Sequence, residues 1–409
     1  MNQTQTILPV YTCDVSGVCS ALYELGGLVV MHDPSGCNST YNTHDEIRWY
    51  EKESLIFVSG LTQRDAVMGN DEKLFRDVMD AAKEFQPAFI AITNSPIPWL
   101  TGCDFSSLVK RLERESKIPA FYVPANGMHD YTQGAGKAFE MVAERLVDEK
   151  YRTKIKNSVN IIGMTPLDYG AKGCAQSIRK TLEDAGFKVN SVWAMDDLPE
   201  NLKHAGEAAV NLVVSSTGLP AAKKLSFKFG TPYVAGTPAG KFTQELLLSL
   251  ERARKTKENI CAYKNIPSDA SISLRPDTAV LIGESVVSGS LAAAIRLQCG
   301  IETKVICPLE TCKGLLRRCD LHVQGEEETR LQLEGAKTVI ADPMYRPLCP
   351  EDAAFYSLPT VALSGRIYLK NMKDLSQCDI TDILNNHSSS RTDMCSTSRG
   401  RLSKNEFAL

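Results

Sequence analysis

Apolar and polar positions along this chain follow two rhythms. Short apolar runs recur at GLVVMHD (27–33), LIFVSG (55–60), AFIAIT (88–93), AFYVPA (120–125), SVNIIGM (158–164) and KVNSVWA (188–194). They continue at AVNLVVSS (209–216), TPYVAG (231–236), AVLIGE (279–284), TKVICP (303–308), KTVIAD (337–342) and LPTVAL (358–363). Each reads as a strand covered on both faces, because only then does a strand show a continuous apolar run. Between many of them lie stretches such as DEKLFRDVMDAAKEF (71–85) and QSIRKTLEDAG (176–186), apolar at helical spacing. Strands alternating with amphipathic helices predict an α/β fold of doubly wound parallel sheets.

A chain of 409 residues and 44.9 kDa is too long for one core. Polar stretches at KYRTKIKN (150–157) and KNIPSDASISLRPD (264–277) mark the boundaries. They predict three Rossmann-like units, 1–152, 153–270 and 271–370. The remaining 371–409 is rich in Ser, Asn and Arg and is expected to be a polar, mobile tail.

Hydrophobic content of 43% and charged content of 23% are ordinary globular values. A net charge of −3 gives no basic footprint for nucleic acid or an anionic membrane. The start, MNQTQTILPV, has neither the basic nor the apolar part of a secretory signal, and no run is long enough to span a bilayer. A cytoplasmic protein is expected. Its 13 cysteines are therefore read as thiols or ligands rather than disulfides.

The chemistry concentrates between Cys13 and Cys37, in TCDVSGVCSALYELGGLVVMHDPSGC (12–37). One cysteine precedes a Gly/Ser-bearing stretch; the other sits on the tight turn DPSGC after a buried strand. Thiolates on two loops can converge in space and hold an iron–sulfur cluster. Ordinary buried thiols are the alternative.

HDPSGC (32–37) resembles the HGPxGC segment of the nitrogenase component 1 family. AVMGNDEKLFRDVMDAAKEFQPAFIAI (66–92), NSPIPWLTGCDFSSLVKRL (94–112), NIIGMTPLDYG (160–170) and VIADPMYRPLCPEDAAFYSLPTVALSGR (339–366) are similar to further family blocks in the same order. That family includes nitrogenase molybdenum–iron protein subunits, cofactor scaffolds, dark-operative protochlorophyllide reductase subunits and nickel-sirohydrochlorin cyclase. The resemblance spans residues 8–370 and implies three Rossmann-like domains and an oxidoreductase.

By the same resemblance, a cluster held by cysteines of two subunits lies at their interface, with ligands at Cys13 and Cys37. The third family cysteine falls on Ser95; Cys103, eight residues on, is the candidate replacement, with the Ser95 oxygen or no ligand as alternatives. Two thiolates from each of two chains match a [4Fe–4S] cluster. The position of the cysteine that binds the nitrogenase cofactor falls on Ser215, and the histidine ligand falls in an extension with no counterpart here. No molybdenum–iron cofactor is expected, since a hydroxyl is a poor ligand for a soft centre.

The implied partners are a second copy or a paralogue, a P-loop ATPase iron–sulfur protein delivering electrons, and a small-molecule substrate. The chain itself has no P-loop lysine signature. A cofactor-assembly scaffold and a non-redox solute-binding protein are the alternatives. Other features carry weaker expectations. Cys19 could be an additional ligand. Cys299, Cys307, Cys312 and Cys319 match no metal template and read as core or surface thiols. GESVVSGS (283–290) could receive an anion at a helix N-terminus. GMTPLDYGAKG (163–173) is a similar junction, His32 either tunes a cluster or is a satisfied core histidine, and His129 could face substrate or a partner.

Overall fold

Three parallel sheets follow one another along the chain in the computed structural model, which describes residues 5–34, 46–267, 278–310 and 313–385. The first contains β1 (Leu28–His32), β2 (Leu55–Val58), β3 (Ile90–Asn94) and β4 (Ala120–Tyr122), in the order β2-β1-β3-β4. The second contains β5 (Ser158–Ile162), β6 (Lys188–Val192), β7 (Val210–Val213), β8 (Tyr233–Ala235) and β9 (Ile260–Cys261), in the order β6-β5-β7-β8-β9. The third contains β10 (Ala279–Ile282), β11 (Thr303–Cys307), β12 (Leu321–His322), β13 (Thr338–Ala341) and β14 (Ala354–Ser357), in the order β12-β11-β10-β13-β14. The expected α/β fold of parallel sheets is what forms. The third sheet grows two strands outward before reversing, as in the dinucleotide-binding order; the first two reverse after one.

The apolar alternation decides which helices cover which face. In the first unit α1 (Asp14–Leu22) precedes the sheet, and α2 (Gln63–Met68), α3 (Asp71–Phe85), α4 (Pro96–Thr101), α5 (Phe105–Ser116) and α6 (Tyr131–Arg145) follow. Leu28, Val30, Ile90 and Ile92 point to α3 and α5; Val29, Met31 and Ala91 point to α1 and α6. Helix α3 stops at Gln86 and α5 at Lys117, each left-handed and donating its N–H to a carbonyl four residues back.

In the second unit α7 (Cys174–Asp184), α8 (Leu219–Phe229) and α9 (Phe242–Thr256) cover the sheet. In the third, α10 (Ser285–Cys299), α11 (Gly325–Leu333) and α12 (Val361–Ser364) do so, and α13 (Ile380–Asn385) closes the described chain. One apolar core runs from α1 through the second sheet to α10. Each fully buried aliphatic side chain contributes about 1.5–3 kcal/mol to it.

Polar staples fix the units to each other. The Arg48 guanidinium, buried, pairs with Glu24 (3.0 Å) and Glu46 (2.7 Å) and donates to the Ser20 and Ala194 carbonyls (2.9 and 2.8 Å), tying the first unit to the second. Glu326 accepts the backbone N–H groups of Thr6, Ile7 and Leu8, which holds its carboxyl down at about 2 and anchors the N-terminal segment to the third unit.

Two expectations change. The run 358–363 is not a strand: Leu358–Thr360 turns, with the Thr360 N–H donating to Asp342, and α12 begins at Val361. The strand lies just before it, at Ala354–Ser357, because Pro359 has no N–H to offer a ladder. The tail expected from 371 is structured to Asn385, with Ile380 and Ile383 buried against the core; 386–409 lie outside the described residues.

Candidate functional site

The first candidate region lies at the carboxyl ends of β1, β3 and β4. Cys13 is the N-cap of α1, half-buried, and its thiol lies 3.6 Å from the Ser16 hydroxyl. Its position is set by contact between α1 and α6. A Cβ on Gly17 would stand 2.4 Å from the Tyr131 carbonyl oxygen, and one on Gly134 would stand 1.8 Å from that of Asp14, so only glycine permits the approach. The buried Asp14 carboxylate then accepts the N–H groups of Asn126 (3.0 Å) and Gly127 (2.8 Å), bringing the loop after β4 against the start of α1. Gly127 in turn packs on Pro96.

Ser95 therefore belongs to the same rim. It is 2% exposed, its N–H donates to the His32 carbonyl (3.2 Å), and its hydroxyl has no hydrogen-bond partner among the described residues. Thr93, two residues earlier on the same side of β3, has an equally unpartnered hydroxyl. Cys37 lies outside the described residues, which end at Pro34 on this side.

Cys103 sits on the other face of the first sheet. It packs with the α3–α5 face, whereas Cys13 packs with the α1–α6 face. Its thiol donates to Asp71 (3.4 Å), and burial, with the Asp71 charge, pushes it up to about 12. Among the described residues no group of three or more His, Cys, Asp or Glu side chains is placed to hold a metal. Around Cys13 and Ser95, large apolar side chains face solvent: Val67 and Met68 on α2, Ile97, Trp99 and Leu100 on α4, and Met128 beyond β4. Helices α2 and α4 touch, and the 127–128 loop touches α4, so these side chains form one rim.

The remaining sequence candidates resolve into structure. Cys19 is fully buried in the core, which raises its thiol. Cys307 and Cys319 are buried, Cys299 is half-buried, and Cys312 lies outside the described residues. His32 bonds the Ser59 hydroxyl (2.8 Å), and burial lowers its pKa. His129 pairs with Glu310 (2.9 Å) and so bridges the first and third units. At GESVVSGS the N–H groups of Val286 and Val287 are taken by the chain's own Glu284 carboxylate (3.0 and 2.9 Å), so the expected anion is internal.

The second candidate region is a cavity of about 70 Å³ where the three units meet. Tyr11 and Tyr131 of the first unit, Asp168 and Thr237 of the second, and Glu284 and Thr360 of the third line the space, with Lys373 and Asp374 across it. It sits beyond strand carboxyl ends, where open α/β sheets leave a crevice. Asp168 is its chemical centre. Its two carboxyl oxygens accept from the Tyr131 hydroxyl and from the Ser215 hydroxyl (2.7 Å). Burial, then the nearby Glu284 charge, push the Asp168 carboxyl up to about 7 against those two hydrogen bonds. In the sequence this junction reads as an anion-receiving helix start or a tight turn, not as an acid site. A lone Asp after a strand signals nothing until Tyr131, 37 positions away, and Ser215, 47 away, are folded against it.

Known proteins resemble this chain in sequence and in fold. The family of nitrogenase component 1 type oxidoreductases matches residues 13–306. A light-independent protochlorophyllide reductase chain of Staurastrum punctulatum is 27% identical over 232 residues, 53% of this chain and 45% of that protein. The corresponding chain of Zygnema circumcarinatum is 28% identical over 221 residues, 52% of this chain and 43% of that protein. The matched stretch is thus under half the length of either relative. Among solved structures, nitrogenase Cp1 at pH 6.5 superposes with a TM-score of 0.55 at 16% identity, covering 81% of this chain and 72% of that one, which speaks for the fold. Matched by the family over most of its length, the chain belongs to the nitrogenase component 1 type oxidoreductases.

Proposed function

We propose that this chain is an electron-accepting subunit of a nitrogenase-like reductase, paired with a second copy or a paralogue around a shared iron–sulfur cluster. The observation that carries the reading is the half-buried Cys13 thiol at the N-terminus of α1, set in a rim of exposed apolar side chains beside the unpartnered Ser95 hydroxyl. A cysteine that ligates a cluster does so as thiolate, and a helix N-terminus favours that negative charge. Apolar side chains around it would keep water from the cluster once a second subunit covers them.

Cys13 and Cys37 of two chains would supply the four thiolates of a [4Fe–4S] cluster. Cys103 remains the third candidate, and its bond to Asp71 supports a neutral thiol instead. The cluster would store electrons one at a time; the residues of the chain would hold it dry and rigid. A separate ATP-hydrolysing iron–sulfur protein would deliver those electrons, since no phosphate-binding lysine motif is present in this sequence.

The nitrogenase molybdenum cofactor is not part of this reading, because Ser215 stands where its thiolate would be needed and spends its hydroxyl on Asp168. Among the described residues no helix is long and apolar enough to cross a membrane. The substrate is a small molecule. The cavity, at about 70 Å³, is far below the roughly 300–1,000 Å³ that ring-sized ligands occupy, so a tetrapyrrole would not fit within it.

Anaerobic purification tests the proposal. A brown dimer with about four irons supports it; a colourless protein, equally stable without iron, ends it. Iron bound without any electron uptake from a reduced donor would identify a scaffold instead.

A further inference from the structure

A reduction that adds hydrogen needs protons as well as electrons, and the cavity between the three units holds a group built to carry one. Asp168 faces the space with both its oxygens on hydroxyl donors, Tyr131 from α6 and Ser215 from the end of the second sheet. Tyr131 is 1% exposed and Ser215 fully buried, so neither hydroxyl is free to turn to bulk water. Glu284 stands close by, its carboxylate saturated by the N–H groups of Ser216, Val286 and Val287 and by the Ser285 hydroxyl. Two hydroxyls stabilise the ionised acid; the confined Glu284 charge opposes it. The result is a carboxyl that gives up a proton and regains it without rearrangement.

We propose that Asp168 is the proton-donating residue of this cavity, positioned by Tyr131 and Ser215, acting on a small neutral unsaturated molecule. This rests on the reductase reading. In a two-electron reduction of a double bond, both electrons come from the iron–sulfur donor. The Asp168 O–H bond breaks as the new bond to hydrogen forms, and the carboxylate left behind is held by the two hydroxyls. The second proton, and the one that restores Asp168, come from water. At about 70 Å³, the cavity has room for roughly five water-sized positions, which sets the size of the molecule at a few heavy atoms.

The other charged and titratable groups around Asp168 include Glu284 and Asp130, which raise it, Tyr131 and Tyr169 beside it, and Tyr11, Cys174, Lys373 and Asp374 in the cavity lining. Infrared difference spectra of the chain, taken without cluster or electron donor, test the assignment. Wild type should show a protonated-carboxyl C=O stretch that titrates with a midpoint near pH 7 and is absent in Asp168→Asn. Formamide, a neutral three-heavy-atom probe, should shift that band in wild type. Tyr131→Phe, which keeps the shape of a buried ring, removes one donor to the carboxylate and should move the midpoint up by about one pH unit. No band titrating near neutrality, a band that survives in Asp168→Asn, or one that ignores both formamide and Tyr131→Phe would overturn the proposal. Failure of the reductase reading would show differently, as a dimer without iron whose infrared band is intact.

Discussion

The rim at the carboxyl end of the first sheet and the cavity between the three units answer the same demand in opposite ways. At the rim, Ser95 and Thr93 bury hydroxyls with no partner among the described residues, while Trp99, Leu100 and Met128 stand in solvent. In the cavity, both oxygens of Asp168 and both of Glu284 are bonded, and the walls come from all three units. Unpaired buried polar atoms and bare aromatic surface each cost free energy. On the proposed reading, a second subunit completes such a surface. The cavity is finished by the fold itself.

That contrast breaks most sharply at the thiol. Cys13→Ala should abolish iron binding in the anaerobic dimer while thermal unfolding moves little, because the side chain is only half-buried and the change removes a single sulfur atom; retained iron refutes the ligand assignment. Cys37→Ala should behave alike. Next in size is the interior. Arg48→Ala removes the buried guanidinium shared by Glu24 and Glu46, while Glu24 keeps Lys52, and should cost about 3 kcal/mol in denaturant unfolding. A loss under about 1 kcal/mol would mean the staple between the first two units matters little.

The rim itself is probed by Trp99→Glu with Leu100→Glu. Self-association measured by sedimentation should weaken by about 2 kcal/mol or more, roughly thirty-fold in Kd, with the monomer still folded. Unchanged association would move the pairing surface elsewhere. The cavity is probed through the pH dependence of stability that Asp168 sets. Its folded carboxyl is raised to about 7, above the unfolded value near about 4, so the native state holds a proton the unfolded chain has lost. Its contribution to stability is therefore present at acid pH and is lost as pH rises from about 4 to about 7. Asp168→Asn should flatten that part of the wild-type profile, and identical profiles would contradict the assignment. The smallest effect expected is for Cys103→Ser, which should leave iron content unchanged, since this thiol is engaged with Asp71; a loss of iron would make Cys103 a ligand after all.

The layered architecture is legible in the residue order alone. Runs such as GLVVMHD and AVLIGE are apolar throughout because parallel strands are covered on both faces, and that signal needs no partner to be read. It fails where local chemistry competes. Pro359 interrupts an apolar run and moves the strand back to Ala354–Ser357, and Glu284 fills a helix terminus that looks open to an external anion. Cys13 stands out through the blocks around it; that Cys103 packs with the opposite face of the first sheet, bonded to Asp71, does not. Asp168 is, in the sequence, one residue of a turn. Folding adds proximity: the Asp168 carboxyl and the Cys103 thiol are both raised through neighbours tens of positions away, whose charge and burial no local pattern encodes.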